Sequence, residues 1–200
     1  MGGRSSKVDE LFSHFPQLDK THIIVIGLHN AGKTSIMRGM GLDSGLKKIS
    51  QVGMPILTAK IGKNVHITAW DVGGPGKLRS MWEHYFSVSK GIVFVVDSTN
   101  KETLAEASVE LNTILNKKIL AGVPLMVMAN KQDMLEKMPI SDISTGLHLY
   151  DLNRMWDIIG TCGTTGDGVY EAMKGISEMM KIREKRKLDN KIADACMVEI

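Results

Sequence analysis

The chain has 200 residues, of which 43% are hydrophobic and 24% charged, and its formal net charge is +3. This composition is typical of one globular domain, and so mild a charge does not argue for a nucleic-acid partner. Apolar stretches such as "IIVIG" and "GIVFVV" are too short to cross a bilayer, and two cysteines cannot form a disulfide framework. We therefore expect a cytoplasmic protein.

Short β-rich apolar runs alternate with longer helical patterns along the chain. This order predicts an α/β fold with a six-stranded, mostly parallel sheet and helices on both faces. A short turn at 62–64 predicts one antiparallel hairpin. Ligands of such sheets bind beyond the carboxyl ends of the strands. The predicted strands lie near 21–27, 56–61, 65–71, 91–97, 123–129 and 156–161, and the helices near 33–40, 77–87, 101–118, 140–149 and 168–187.

The first motif, "GLHNAGKTS", follows a predicted strand and precedes a predicted helix, which is the context of a phosphate-binding P-loop. Its glycines let backbone N–H groups turn toward phosphate, and the helix N-terminus adds partial positive charge. Lys33 is expected to reach the terminal phosphates, and the Thr34 hydroxyl to bind Mg²⁺. The alternative is a glycine-rich turn without a ligand. The candidate phosphate-binding residues are Gly27, Leu28, His29, Asn30, Ala31, Gly32, Lys33, Thr34 and Ser35.

The second motif, "NKQD", follows the apolar run "VPLMVMA" and supplies Asn130, Lys131 and Asp133. A carboxylate there is able to accept two hydrogen bonds from adjacent N–H donors of guanine, an edge that adenine lacks. The motif therefore favours GTP or GDP, although a polar turn after a strand is the alternative. In the third motif, "TCGTTGDG", small residues including Cys162 and Gly163 are expected to bring backbone N–H groups to the guanine oxygen.

The fourth motif is "AWDVGGPGK". Asp71 ends a predicted strand and is expected to hold Mg²⁺ through water, and the Gly74 N–H to face the terminal phosphate.

These motifs in this order and spacing resemble the small GTPases, and "WDVGG", "MWEHYF" and "GIVFVVDS" resemble the ADP-ribosylation factor and ADP-ribosylation-factor-like branch over residues 8–182. The resemblance implies a switch that binds GTP or GDP with Mg²⁺ and acts at membranes in vesicle trafficking or signalling. It also implies two mobile segments whose conformation depends on the third phosphate. The expected partners are effector, exchange-factor and activating proteins. An N-terminal amphipathic helix would be released when GTP binds.

The N-terminal segment has two features of a membrane anchor. "MGGRSS" fits a myristoylation site at Gly2, and an apolar stripe follows on a short helix at Val8, Leu11, Phe12 and Phe15. One acyl chain binds membranes only marginally, so the stripe would add the second contribution. The alternative is an unmodified Gly2 and a stripe that packs on the domain. We divide the chain into an N-terminal helix (1–18), a GTP-binding domain (19–187) and a C-terminal tail (188–200).

Three positions depart from the family pattern. Pro75 stands where the family has the glutamine that orients the attacking water, and proline offers neither a side-chain amide nor a backbone N–H. Val52 stands at the place of the threonine that binds Mg²⁺ and senses the third phosphate, within the first mobile segment, 50–57. Pro55 replaces the aromatic partner of Trp70 and Tyr85 on the effector-facing surface. We therefore expect slow hydrolysis and weak discrimination between GTP and GDP.

Two functions remain open on this basis. The first is a regulatory GTPase with impaired or partner-dependent hydrolysis, and the second is a non-hydrolysing binding module or scaffold that keeps guanine nucleotide as a structural ligand. A small-molecule kinase sharing only the P-loop is disfavoured by "NKQD". The basic cluster within 181–187 has two interpretations as well, a solvated helix end, which we favour, and contact with an anionic surface.

Overall fold

The computed structural model describes residues 21–42, 46–51, 54–61, 65–72 and 79–198. The expected N-terminal helix, Gly2, Val52, Gly74 and Pro75 lie outside these ranges. The strands are β1 (Thr21–Gly27), β2 (Lys47–Gln51), β3 (Met54–Ile61), β4 (Val65–Asp71), β5 (Ser89–Asp97), β6 (Leu125–Asn130) and β7 (Trp156–Gly160). The α-helices are α1 (Lys33–Gly39), α2 (Arg79–Val88), α3 (Leu104–Leu115), α4 (Ile140–Gly146) and α5 (Val169–Val198), and short 3₁₀ helices span Lys118–Leu120 and Leu149–Asp151.

The strands form one sheet in the order β2-β3-β4-β1-β5-β6-β7. β1 is parallel to β4 and β5, and β6 is parallel to β5 and β7, as the alternation of strands and helices predicts. β3 and β4 are antiparallel, which confirms the predicted hairpin. A right-handed crossover through a helix is the ordinary way to join parallel neighbours, and it covers both faces of the sheet.

Within the described residues the sheet has seven strands, so the prediction of six was wrong. The additional strand is β2, which pairs antiparallel with β3 along its whole length. Its sequence, "KKISQ", has no apolar alternation, and its lysines are exposed. Because the strand is held by backbone pairing at a sheet edge, hydrophobic periodicity could not reveal it. Apart from residues 52–53, the segment 50–57 lies in these two strands.

The helices differ from the predictions mainly at their ends. Helix α3 is shorter than predicted, because Asn100 accepts a hydrogen bond from the Thr103 N–H and forms a turn before it. Helix α4 ends early, and His148 beyond it has the left-handed φ of 56°. Helix α5 continues to Val198 instead of ending near residue 187, through a segment that contains no glycine or proline.

The core has two layers, one on each face of the sheet. Alternate residues of the parallel strands point to opposite faces, so that Met126 and Met128 lie in one layer and Leu125 and Val127 in the other. Helices α1 and α5 cover the first layer, and α2, α3 and α4 the second. Helix α5 buries apolar residues along one face: Val169, Met173, Ile176 and Met180. No helix within the described ranges is both long and apolar enough to span a bilayer.

Candidate functional site

The predicted motifs meet at the carboxyl edge of the parallel strands. Gly27, which ends β1, is in register with Asp71 at the end of β4. Asp97, which ends β5, is in register with Asn130 at the end of β6. The strand register therefore brings the P-loop, the fourth motif and "NKQD" to one side of the sheet.

The backbone of the P-loop needs its glycines. The Gly27 carbonyl accepts a hydrogen bond from the Val72 N–H at 2.9 Å, and a Cβ on Gly27 would lie 2.2 Å from the Val95 carbonyl oxygen. Gly32 has a φ of +97°, and its Cβ would lie 2.1 Å from Nδ2 of Asn130. A side chain at either position would disrupt the loop, because non-bonded atoms do not approach each other this closely.

Lys33 is buried beneath the P-loop. Its ammonium group donates to the carbonyl oxygens of Gly27 at 2.9 Å and Leu28 at 2.6 Å, and it forms an ion pair with Asp71. Burial lowers the pKa of Lys33, and the contact with Asp71 opposes this effect. Lys33, which the sequence analysis expects to contact the terminal phosphates, thus contacts the carboxylate of Asp71 in this structure.

Asp71 has a second partner that the sequence did not reveal. Nδ1 of His29 lies 3.0 Å from its Oδ2, and the His29 side chain is 79% exposed. Burial favours the neutral acid, but the hydrogen bonds from Lys33 and His29 outweigh it, so the pKa of Asp71 lies below its ordinary value. The sequence analysis names His29 only as a candidate phosphate-binding residue, and the structure adds this contact with Asp71.

The two predicted Mg²⁺ ligands fit that ion chemically. Thr34 lies in the first turn of α1, directly after Lys33, and Lys33 contacts Asp71. A hydroxyl and a carboxylate oxygen are the ligands that Mg²⁺ prefers, and this ion usually takes its remaining ligands from substrate phosphates and water. The described residues contain no cluster of three or more His, Cys, Asp or Glu arranged for a metal.

Asn130 joins three segments of the site. Its Nδ2 donates to the Ala31 carbonyl in the P-loop at 2.9 Å, and its Oδ1 accepts from the Gly163 N–H at 2.9 Å. Its backbone carbonyl accepts from both the N–H and the hydroxyl of Ser98, at 3.0 and 2.6 Å. The side chain is buried. Asn130 therefore fixes the position of the P-loop relative to the loop of the third motif.

Lys131 forms an ion pair with Asp97, a residue at the end of β5 that the sequence analysis did not single out. Its ammonium group lies 2.5 Å from Oδ2 of Asp97, whose Oδ1 accepts from the N–H and hydroxyl of Thr99. These bonds lower the pKa of Asp97 although burial opposes them. Asp97 ends a buried strand, as Asp71 and Asn130 do, so the rule of strand ends would have found it.

A small cavity lies between "NKQD" and the third motif. Asp133, which the sequence analysis expects to contact the base, lines this cavity, and the sequence analysis did not name Met134 and Thr164 in its wall. The lining residues are Gly32, Ser35, Asn130, Lys131, Asp133, Met134, Gly163 and Thr164.

The N–H groups of Cys162 and Gly163 are engaged within the protein. The Cys162 N–H donates to the Asp167 carbonyl at 2.9 Å, and the Gly163 N–H to Asn130. A Cβ on Gly163 would lie 2.9 Å from the backbone N of Ile36, so this glycine lets the loop approach α1 closely. In this structure the two residues position the wall of the cavity, and their N–H groups do not point into it as free donors.

Trp70 and Tyr85 are in contact, with ring centroids 5.6 Å apart. Trp70 is buried and Tyr85 half-buried. Pro55, the third position of the family's aromatic surface, lies in β3 opposite Ser50 of β2.

The sequence of this chain matches one family model, that of the ADP-ribosylation factor family, over residues 8–180. The match covers most of the chain and includes every segment that meets at the carboxyl edge of the sheet. This family consists of small GTPases that bind GTP and GDP, typically with Mg²⁺, and act through regulators and effectors. The chain therefore belongs to the ADP-ribosylation factor family.

Proposed function

We propose that this protein is a guanine-nucleotide-dependent regulatory switch whose hydrolysis of GTP is impaired or depends on a partner protein. The observation that carries the proposal is the position of Asn130, which ties the P-loop to the loop of the third motif beside a cavity lined by Asp133. The arrangement supports phosphate binding at one end and guanine recognition at the other.

At the phosphate end, Lys33 is the residue that would bind the terminal phosphates. It is desolvated, and its present anionic partner is Asp71. A phosphate would offer it the same charge complementarity and would free Asp71 to act with Thr34 in holding Mg²⁺. When bound, Mg²⁺ would neutralise phosphate charge. The backbone N–H groups of residues 27–35 and Gly74 are the proposed further donors.

At the guanine end, the Asp133 carboxylate would accept hydrogen bonds from two adjacent N–H groups of the base. The substitution Asp133→Asn tests this role, because an amide offers donors where guanine also has donors. We expect GDP affinity to fall by roughly 100-fold, since two hydrogen bonds to a charged group are lost. Affinity for xanthosine diphosphate, which has a carbonyl acceptor in place of the guanine amino group, should rise. A GDP affinity that the substitution leaves unchanged would contradict the proposed base contact.

Impaired hydrolysis rests on the chemistry of Pro75. A proline has neither a side-chain amide nor a backbone N–H to orient water, whereas a glutamine at this place in GTPases orients the attacking water. Pro75→Gln should therefore raise the single-turnover rate of bound GTP hydrolysis roughly tenfold or more. Pro75→Ala is the matched control, because it removes the proline ring without supplying a side-chain amide. Equal rates for the two variants would contradict this explanation.

The alternative, a static scaffold, is favoured by Val52, which has no oxygen to offer a third phosphate or Mg²⁺. A ligand shifts a conformational equilibrium only through its different affinities for the two states. The first measurement is therefore the affinity of nucleotide-free protein for GDP and for a slowly hydrolysed GTP analogue with Mg²⁺. Clear preference supports the switch, and equal affinity supports the scaffold.

Strand β2 offers an independent test that distinguishes a switch from a static scaffold. Its pairing with β3 covers residues 47–51, and Pro55 of β3 lies two residues nearer the carboxyl edge than Leu57, which pairs with Ala69. The end of β2 at Gln51 and the start of β3 at Met54 thus lie at the edge that carries the P-loop. A switch should change amide hydrogen exchange in β2 between GDP and the GTP analogue, whereas a scaffold should show the same exchange in both.

The proposal includes a peripheral membrane location in the cytoplasm. Myristoylation at Gly2 and the apolar stripe at Val8, Leu11, Phe12 and Phe15 would supply two membrane contacts. Mass spectrometry of the protein co-expressed with an N-myristoyltransferase tests the modification, and the matched control is Gly2→Ala.

A further inference from the structure

Residues 185–193 of helix α5 do not pack on the described domain. Among the helix residues up to 193, whose burial is described, the last buried positions are Ser177 and Met180, and Met180 lies beside Gly91 near the start of β5. One turn further on, Nη2 of Arg183 still donates to the Ala121 carbonyl at 3.0 Å. Every side chain from 185 to 193 is exposed. Helices of globular proteins are stabilised mainly by packing, so a surface is expected to support this part of α5.

The exposed part of the helix carries the positive charge of the chain. Six lysines and arginines but only two acidic residues, Glu184 and Asp189, lie within 181–191. This surplus of four positive charges exceeds the formal net charge of the whole chain, +3. The chain outside this segment is therefore close to neutral, and the charge favours an anionic partner at α5.

Three exposed apolar side chains lie among or directly beside these cations, Ile182, Leu188 and Ile192, and the last two share one face of the helix. Leu188 is 59% exposed and Ile192 is 55% exposed, and they are four residues apart, one above the other on the helix. Lys181 and Lys185 precede them at the spacing that continues the same face. We call the face formed by Lys181, Lys185, Leu188 and Ile192 the basic-apolar face. Exposed leucine and isoleucine beside lysine are typical of helices that lie at a membrane interface.

The basic-apolar face lies at the edge of the sheet where the N-terminal segment joins the domain. Helix α5 begins after β7 at the carboxyl edge and runs back along the sheet, so that Met180 reaches the start of β5. β5 is parallel to β1, which begins at Thr21. Thr21, the first described residue, and the projecting part of α5 therefore lie at the same side of the domain, opposite the nucleotide site.

We propose that the basic-apolar face of α5 binds an anionic lipid bilayer, with the lysine ammonium groups at the headgroups and Leu188 and Ile192 at the acyl boundary. The alkyl stem of a lysine is able to lie along apolar surface while its ammonium group stays in water. The lysines and the two apolar side chains are therefore able to occupy the same depth of the bilayer interface. This site is independent of the proposed nucleotide switch and of acylation. It adds a second attachment at the side of the domain where an acylated N-terminus would also reach the bilayer.

The test measures co-sedimentation of the full, unacylated chain loaded with GDP. The vesicles contain phosphatidylcholine alone or phosphatidylcholine with phosphatidylserine. We expect binding only to the anionic vesicles and a decrease with added salt, because exposed charges are screened. The double substitution Lys181→Glu with Lys185→Glu should weaken binding roughly tenfold or more. Leu188→Ser with Ile192→Ser should weaken it at unchanged charge.

The matched control is Lys48→Glu with Lys101→Glu, which makes the same change in net charge at exposed lysines outside helix α5. It should keep most of the binding. Equal losses in the control and in the Lys181→Glu with Lys185→Glu variant would overturn the proposal, as would absence of binding by the unsubstituted chain. A concentration-dependent dimer that Leu188→Ser with Ile192→Ser abolishes would also overturn it, since the occupant would then be a second copy. GDP affinity is measured on the same preparations, so that a failure of nucleotide binding is detected separately.

Discussion

Nδ1 of His29 lies 3.0 Å from Oδ2 of Asp71 and joins the P-loop to the end of β4. The same carboxylate forms the ion pair with Lys33. One carboxylate therefore contacts two residues of the P-loop, and we expect a bound phosphate to displace it from Lys33. An imidazole at position 29 stabilises this arrangement, whereas an acidic residue would oppose it.

The first prediction concerns this contact. His29→Asp would place a second carboxylate beside Asp71 and should lower the free energy of unfolding of nucleotide-free protein by about 1 kcal/mol at neutral pH and low salt. The value is small because the side chain is exposed. Urea denaturation measures it, and His29→Asn is the control, since an amide is able to donate to Asp71. Equal stability of the two variants would show that the contact contributes nothing.

The second prediction concerns the conformation of Gly32. Gly32→Ala should prevent nucleotide binding and lower stability by several kcal/mol, because its Cβ would lie 2.1 Å from Nδ2 of buried Asn130 and the φ of +97° disfavours any side chain. Gly122→Ala is the matched control. Gly122 also has a positive φ, +62°, but no atom lies within 4 Å of its Cβ position, so only the backbone cost of about 1 kcal/mol is expected. Thermal unfolding and GDP titration of both variants would separate steric overlap from backbone strain.

The third prediction concerns Arg154, which connects three chain segments. Nη1 donates to the carbonyls of Leu120 and Val123 at 3.2 and 3.1 Å, and Nη2 to that of Leu115 at 2.8 Å. Arg154→Met should lower the free energy of unfolding by about 2–3 kcal/mol, because three carbonyl groups lose a charged donor.

Two further variants make this test specific. Arg154→Lys should recover little of the loss, since one ammonium group cannot reproduce the planar fork of the guanidinium. Arg183→Met, which removes one exposed bond to the Ala121 carbonyl, should cost about 1 kcal/mol or less. If the Arg154→Lys protein were as stable as the unsubstituted one, the bridging role of the guanidinium would be contradicted.

The sequence predicts those parts of the molecule in which a local pattern is sufficient. Buried strands such as β5 and β6 appear as continuous apolar runs, and the P-loop and "NKQD" follow strands directly, so their convergence at one edge was predictable. β2 was missed because only its pairing with β3 makes it a strand. The contacts of His29 with Asp71 and of Asn130 with Ala31 and Gly163 join residues distant in the chain, and no spacing rule specifies such pairs. The predicted end of α5 lies too early because a basic segment is typical of a solvated terminus, although nothing in its residues stops a helix.

The last prediction follows from His22, a half-buried histidine near the start of β1. Its ring stacks on His66 with centroids 5.6 Å apart, and its Nε2 lies 2.9 Å from the Thr68 hydroxyl. Burial, together with the nearby His66 and His84, lowers the pKa of His22 from 6.5 to about 4. Between these two pH values the unfolded chain binds a proton that the folded chain does not. The free energy of unfolding should therefore fall as the pH decreases from about 6.5 to about 4.

His22→Gln removes this titration while keeping a polar side chain beside Thr68. The unsubstituted protein should lose about 1–2 kcal/mol more than the variant between pH 7 and pH 4.5, a value reduced from the full pKa shift because part of the ring is solvated. Urea denaturation of both proteins at the two pH values measures the difference and cancels the titration of all other groups. His148→Gln, at an exposed histidine in a loop, should lose as much stability as the unsubstituted protein. If the His22 variant shows the same decrease as the other two proteins, then protonation of His22 is not coupled to unfolding, and the acid sensitivity of the domain lies in other groups.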